Sequence, residues 1–187
     1  MDIIENIKSR RTIGLMKEDL VPDEIINKLL DVATWAPNHK KTEPWKFRVV
    51  TGDSRIKLGK EMISIIKNEL SVDSDKKLKQ IDKIKKVVTS APVIIAIAVS
   101  PSGKVPKIEE VSAVSCAIQN MLLTANEMGL ASIWRTGNVI YQKELNNFLS
   151  LSESDDIIGL IYLGYSKKED IPISQRTNFK EKTKWYK

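Results

Sequence analysis

The feature of this sequence that most restricts its fold is an unbroken apolar run, Val93–Val99, which reads VIIAIAV. A strand with no polar position has to be covered on both of its faces, because neither face can be left in water. The run is also far too short to cross a bilayer. It therefore predicts a strand in a sheet that has helices packed on both sides.

Helical spacing and helix-breaking residues divide the rest of the chain into short elements. A short helix opens the chain with Ile3, Ile4 and Ile7 on one face, and Gly14 is its expected stop. Further helices are predicted at 22–35, at 54–70 with Ser54 as its cap, at 108–128 and at 141–149. Another helix follows a polar break at 71–75 and ends near residue 88. Further strands are predicted at 45–51, 131–134 and 157–163. We expect one domain over residues 1–187, with a mixed sheet and a basic C-terminal tail at 166–187.

Two helices carry predictions about individual side chains. The helix at 108–128 has apolar residues on several sides, which is typical of a central, mostly buried helix. Cys116 lies among small residues of that helix, and we expect it in the core. In the lysine-rich helix that ends near Val88, Leu78 is expected on the buried face with Ile81 and Ile84.

A loop with unusual composition, Trp35–Pro44, connects the second helix to the first strand. Pro37 ends the helix, because its ring clashes with the preceding turn and it lacks an N–H. After the loop, Trp45 and Phe47 enclose Lys46 as in a half-buried strand. A rigid polar loop flanked by tryptophans suits ligand binding, and an ordinary helix–strand connection is the alternative.

Composition and charge restrict the class of protein. At 42% hydrophobic residues, the chain can bury a sizeable core. The single cysteine and an N-terminus without an apolar signal core predict a cytoplasmic protein that is not tied to a membrane. The formal net charge of +6 favours a phosphate-bearing ligand or nucleic acid, although lysine runs are more often solvated faces and tails. A nucleic-acid-binding protein is the less favoured alternative, because the aromatic residues lie mainly in or beside predicted strands.

Several chemistries lack their motifs. The sequence has no GxGxxG after a strand, no GxxxxGK[ST] and no GxSxG. One cysteine and one histidine cannot form a usual zinc site, so we expect no metal. The only histidine, His39, lies in a polar loop, where a surface position is more common than a role as general base.

A cluster of polar donors follows the first helix, where Ser9–Thr12 reads SRRT. Two adjacent arginines on a helix diverge by about 100°. They can therefore hold different oxygens of one phosphate, with the hydroxyl of Thr12 as a third donor. A solvated basic cluster is the alternative interpretation.

Taken together, these segments resemble the family of FMN-dependent nitroreductases. SRRT is similar to the family's phosphate-binding SRRS, and APNHK at 36–40 with PWKF at 44–47 is similar to its APS/D…QPW-F segment. The APNHK form and IWRTG at 133–137 resemble the YdjA-like branch most, and 158–165 resembles the family's closing GFLYLG strand. The tail matches poorly.

The resemblance implies an α+β fold with a mostly antiparallel central sheet, and an intertwined homodimer with two FMN sites at its interface. Three groups of residues are implied at each site. They are the phosphate ligands Arg10, Arg11 and Thr12, the loop residues Pro37, Asn38 and His39 from the other subunit, and the residues beside the flavin ring, Trp134, Arg135, Thr136 and Gly137.

The resemblance also implies an enzyme that takes a hydride from NADH or NADPH and passes electrons to a nitroaromatic, a quinone or a related small molecule. Such a ping-pong mechanism needs no catalytic residue from the chain, because the cofactor carries the chemistry. The sequence departs from the family at Ile13–Leu15, where a further arginine is common, and at Trp35, where the branch often has a basic residue. A specialised flavoprotein of the same fold, a dehydrogenase or dehalogenase for one metabolite, is the alternative, and residues 58–107 would decide.

Overall fold

The structure, a computed structural model, describes residues 2–68, 74–168 and 174–187. Its helices are α1 (Ile3–Ser9), α2 (Asp23–Thr34), α3 (Asp53–Asn68), α4 (Ser74–Ser90), α5 (Lys107–Glu127) and α6 (Lys143–Phe148). Its strands are β1 (Trp45–Thr51), β2 (Val93–Val99), β3 (Ala131–Arg135) and β4 (Asp156–Gly164). The predicted elements are present in the predicted order. The expected helix end near Leu70 and residues 71–73 of the predicted break lie outside the described residues. The rest of that break is wrong, because Ser74 and Asp75 already belong to α4.

The four strands form one sheet in the order β1-β2-β4-β3, and each of its pairings is antiparallel. β2 and β3 run in the same direction, with the single helix α5 between them in the chain. They would form a parallel pair as neighbours, but β4 lies between them and pairs with both. The prediction of a mostly antiparallel sheet is confirmed, while the parallel pair of a mixed sheet is absent among the described strands.

Helices cover both faces of the sheet, as the apolar run predicts. All seven residues of β2 are buried. On one face α3, α4 and α6 pack against Ile94, Ala96 and Ala98. On the other face α2 and α5 pack against Ile95 and Ile97. The two faces of one strand therefore belong to two separate cores.

Several local predictions are wrong. Cys116 is exposed, because α5 packs through its small and apolar neighbours on the other side of the helix. Leu78 is 60% exposed, because α4 uses positions 81, 84 and 88 for packing. Ser54 lies inside the first turn of α3 rather than at its cap. None of the helices in the described ranges has the length and apolar character needed to cross a membrane.

Candidate functional site

The segment that follows α1 carries the first group of predicted site residues. α1 ends at Ser9, so Gly14 is not its stop, and Arg10 has the extended angles φ −53° and ψ 130°. Both arginines lie beyond the helix, and the prediction that they diverge by one helical step is wrong. Arg11 Nη1 donates to the carbonyl oxygens of Lys8 at 2.6 Å and Arg10 at 2.9 Å. Part of this guanidinium therefore caps the last turn of α1, and Thr12 is exposed beside it.

A third arginine comes from the C-terminal tail, where no sequence motif marks it. Burial lowers the pKa of Arg10 from its ordinary value, and the positive charges of Arg11 and Arg176 lower it further. An anion beside Arg10 would offset the repulsion that Arg11 and Arg176 exert on it. The only signal in the sequence for Arg176 is its charge, which the many lysines of the tail conceal.

Residues 13 and 14 connect this cationic segment to the end of the sheet. The amide of Ile13 donates to Ser132 O at 3.0 Å, so the chain passes beside the start of β3. A methyl group built on Gly14 would lie 3.4 Å from Arg135 Nη2. A small residue here therefore lets the guanidinium of Arg135 approach the backbone of the N-terminal segment. The structure thus brings the Arg10–Thr12 group and the end of β3 side by side.

Arg135 lies over a buried aromatic ring. Its guanidinium carbon is 5.3 Å from the centre of the Tyr162 ring, within cation–π range. Burial raises the pKa of Tyr162 to about 12, although the charge of Arg135 acts in the opposite direction. The phenol is therefore neutral at pH 7 and does not cancel the positive charge above it. Arg135 Nε is buried and has no hydrogen-bond partner in the described part of the chain, which leaves a donor for a bound ligand.

Trp134 points to the opposite face of the sheet, as the alternation of side chains along a strand requires. Its Nε1 donates to Ile158 O at 3.4 Å. A methyl group built on Gly159 would overlap that Nε1 and lie 2.8 Å from Arg135 O. Glycine at 159 therefore permits the close approach of β3 and the indole to β4.

A cavity of about 440 Å³ opens beside Arg135 between the sheet and the α3–α4 helix pair, and we call it the α3–α4 cavity. Thr136 and Gly137 lie on its lining, together with Trp134 and Arg135. Gly137 has φ 140° and ψ 163°, a conformation that only glycine adopts readily. The four residues of the third predicted group therefore all border the cavity, although the indole of Trp134 lies on the opposite face of the sheet.

The loop at 35–44 holds the remaining predicted site residues, Pro37, Asn38 and His39, and its backbone is strained. Lys40, Lys41 and Glu43 have positive φ values of 54°, 52° and 45°. Each such non-glycine residue costs about 1–2 kcal/mol, so the surrounding contacts must hold the loop in place. Thr42 Oγ1 is buried and has no hydrogen-bond partner among the described residues. Strain and an unpaired polar atom together are typical of a loop kept for binding.

The predicted residues of this loop make specific contacts. Pro37 follows the end of α2 at Thr34, as predicted. The carboxamide of Asn38 accepts from the amide of Glu43 at 3.0 Å. His39 Nδ1 lies 2.6 Å from Glu109 Oε2 at the start of α5. The loop is therefore fixed against the first turn of α5.

α5 also separates this loop from the arginines. The loop contacts α5 at Glu109, whereas α1 contacts it near the other end, where Asn6 Nδ2 donates to Leu123 O at 3.0 Å. The fourteen steps from residue 109 to residue 123 span about 21 Å of helix at 1.5 Å per residue. Within a single chain, the loop group therefore lies apart from the Arg10–Thr12 group.

Comparison with known proteins identifies the family. The model of the nitroreductase family matches residues 7–165. The chain belongs to the nitroreductase family. Its relatives include YdjA of Escherichia coli (strain K12), which is named provisionally as an NAD(P)H nitroreductase and is 29% identical over 88% of both chains. The iodotyrosine deiodinase of Hydra vulgaris is 28% identical over 96% of this chain and 71% of its own.

Solved structures agree with this nitroreductase in fold. A nitroreductase-like family protein from Bacillus cereus is 27% identical, with a TM-score of 0.86 over 100% of this chain and 96% of that one. A Desulfovibrio desulfuricans nitroreductase solved in complex with FMN is 22% identical, with a TM-score of 0.79 over 100% of this chain and 98% of that one. At that identity the second likeness supports the fold alone.

Three features of this nitroreductase suit a ligand with a phosphate at one end and a flat polar ring at the other. The positive charges of Arg11 and Arg176 act on Arg10. Arg135 Nε is a buried donor without a partner in the described ranges. The α3–α4 cavity lies beside that donor. The residues present are therefore compatible with a flavin mononucleotide.

Proposed function

We propose that this protein is an FMN-dependent oxidoreductase that takes a hydride from NADH or NADPH and reduces nitroaromatics, quinones or related acceptors by a ping-pong mechanism. The observation that carries the proposal is the approach of Gly14 to Arg135, which joins a cluster of arginines to a cavity in a chain of the nitroreductase family. When bound, FMN supplies the hydride chemistry, so the chain needs no nucleophile or acid–base pair. A cytoplasmic location and a single-domain organisation stay part of this proposal.

In this proposal the arginine cluster holds the phosphate. Arg10 and Arg176 would face the anion, and Arg11, whose Nη1 caps α1, would add its positive charge. The exposed hydroxyl of Thr12 adds a neutral donor. Each charge-assisted contact contributes roughly 1.5–3 kcal/mol.

The end of β3 serves the ring. Arg135 would hold a fixed positive charge towards the bound ring, and the neutral Tyr162 ring beneath it does not cancel that charge. The backbone angles of Gly137 would let the chain pass close to the ring. Donor and acceptor then use the same open side in turn.

A homodimer completes the site. In one chain, the loop group and α1, which leads into the arginines, contact α5 about 20 Å apart. The partner's copies of Pro37, Asn38 and His39 would therefore supply the loop. An apolar face supports this, because Ile3 and Trp35 are 61% and 80% exposed. We expect an interface on the order of 2,000 Å² or more.

Anaerobic reduction tests the reaction class. NADH or NADPH should bleach the visible flavin absorption of the purified protein, and a nitroaromatic or quinone should restore it. Double-reciprocal plots at varied donor and acceptor should be parallel. Heat should release FMN rather than FAD, and release of FAD, or a protein that takes up no FMN from excess, contradicts the proposal.

Subunit mixing tests the shared site. One variant carries Arg10→Ala and Arg11→Ala, and the other carries Asn38→Ala and His39→Ala. Each homodimer should bind FMN poorly. Heterodimers with two affinity tags should recover one intact site per dimer, with about half of the wild-type FMN content. No recovery, with both variants folded and dimeric, contradicts a site shared between subunits.

A second candidate is a dehalogenase specialised for one halogenated aromatic metabolite, because an iodotyrosine deiodinase is among the relatives. Turnover of halotyrosines or halophenols with release of halide would favour it. Equal turnover of several unrelated nitroaromatics and quinones, without halide release, favours the broad reductase.

A further inference from the structure

The α3–α4 cavity carries positive charge without a compensating acid. Its charged lining residues are Lys83 and Arg135, and none of the described residues that line it is an aspartate or a glutamate. Two cations in a half-enclosed space repel each other, so an anionic occupant lowers the electrostatic free energy. The remaining lining is largely apolar, which suits an aromatic ring.

Helical spacing places Lys83 on this lining. In α4 the buried stripe consists of Ile81, Ile84 and Val88. Positions 80, 83 and 87 lie beside that stripe and one turn apart, so they border the cavity rather than pack against α3. The amide of Gln80 and the ammonium of Lys83 therefore belong to one edge of the helix.

Lys83 is available to a ligand, whereas two other lysines of the same helix have partners. Lys85 Nζ lies 3.8 Å from Asp82 Oδ1. Lys77 Nζ donates to Lys67 O at 3.5 Å. Within the ranges that the structure describes, the Lys83 side chain has no ion pair or hydrogen bond. Its charge is therefore not neutralised by the fold.

We infer that Lys83, with Gln80 beside it, makes the cavity selective for flat aromatic molecules that carry a negative group such as a carboxylate. Met62 and Ile66 of α3 contact the ring, and the ammonium of Lys83 binds the anion. The inference rests on the proposed function only where it makes this molecule the electron acceptor. In the enzyme, the preferred acceptors are nitroaromatics or quinones with a carboxylate or sulfonate on the ring.

Benzoate and benzamide test the selectivity directly, since they share a shape and differ in charge. Calorimetry on the purified protein should show that Lys83→Met weakens benzoate binding roughly five- to twentyfold and changes benzamide binding less than about twofold. Methionine keeps the length and helix propensity of lysine. Lys85→Met is the matched control, because its position lies about 200° round the helix from Lys83. It should leave both affinities unchanged.

Kinetics then test the acceptor. The ratio of kcat/KM for 4-nitrobenzoate over nitrobenzene should fall by a similar factor in Lys83→Met, and the effect should shrink as salt rises. If the protein holds no flavin, or neither NADH nor NADPH reduces it, the proposed function fails, and the benzoate measurement still tests Lys83. An unchanged ratio of benzoate to benzamide affinity overturns the inference. The inference is also overturned if Lys83→Met lowers only the rate of reduction by NADH or the flavin content, and leaves the ratio of kcat/KM for the two acceptors unchanged.

Discussion

The two predicted binding segments of this nitroreductase are held in opposite ways. The segment at 10–14 lies in relaxed backbone against β3, where Gly14 approaches Arg135. The loop at 35–44 has three non-glycine residues at positive φ and is held by the contact of His39 with Glu109. The first segment forms a surface that is complete within one chain. The second keeps a strained shape and lies apart from the first along α5, which is why we propose that it serves the partner's site.

The largest expected effect concerns the exit of the loop, where Lys46 Nζ lies 2.9 Å from Asp155 Oδ2. Lys46→Met should lower the free energy of unfolding by about 2–4 kcal/mol, because it leaves the fully buried carboxylate of Asp155 without its cation. Urea unfolding measures this change. Lys57→Met, at an exposed position of α3, is the control and should change stability by less than about 0.5 kcal/mol.

The Lys46–Asp155 pair also makes the stability of the protein depend on pH in the acid range. Burial alone would raise the pKa of Asp155, but hydrogen bonds from Lys46 and Ser152 lower it from 3.8 to about 2. The stabilisation is therefore complete above about pH 4 and is lost as the pH falls towards 2. The wild-type protein should lose stability over that interval more steeply than Lys46→Met. Equal slopes would show that Asp155 does not depend on Lys46.

The next effect concerns the segment at 10–14. Arg10→Ala and Arg176→Ala should each weaken FMN binding by about 1.5–3 kcal/mol, because each removes a charge-assisted phosphate contact. Flavin titration measures this, and thermal unfolding without flavin should change little. Lys180→Ala, another cation of the tail, should leave the affinity unchanged. Normal FMN affinity in both arginine variants would mean that the cluster is a solvated surface and does not bind the phosphate.

A smaller loss is expected for Gly159→Ala. The added methyl group overlaps Trp134 Nε1 and crowds Arg135 O, so β3 must shift at a cost of about 1–3 kcal/mol in stability. The double variant with Trp134→Phe should recover part of that loss, because it removes the overlapping Nε1. If the double variant recovers no stability, the strain arises from the contact with Arg135 O alone.

The smallest expected effect concerns the contact that holds the loop at 35–44, and it tests most directly how this loop differs from the segment at 10–14. Glu109→Gln removes the charge that faces His39, and because that pair is exposed the stability should change by less than about 1 kcal/mol. The FMN dissociation constant should nevertheless rise two- to fivefold, roughly 0.5–1 kcal/mol, because the loop is less well held. A change in stability without a change in affinity would mean that the loop is only structural.

Much of the fold follows from local sequence. The run Val93–Val99 has no polar position, so a covered strand was predictable, and its burial on both faces confirms this. Pro37 and Pro44 similarly bound the loop. The order of the motifs indicated the nitroreductase family, and the model of that family matches residues 7–165. These features depend on residues close together in the chain, where steric and hydrophobic preferences act directly.

Other features depended on which elements meet. The sequence places Cys116 in an apolar helix, but its exposure depends on which side of α5 receives its neighbours. Sheet order depends on β4 inserting between β2 and β3. Arg176 and Lys83 look like any other cations in basic segments until the tail returns to Arg10 and α4 lies against the cavity. The sequence by itself determined which segments are strands, helices and binding motifs. The tertiary structure alone decided which charges act together, because Coulomb energy depends on distance in space and not on separation along the chain.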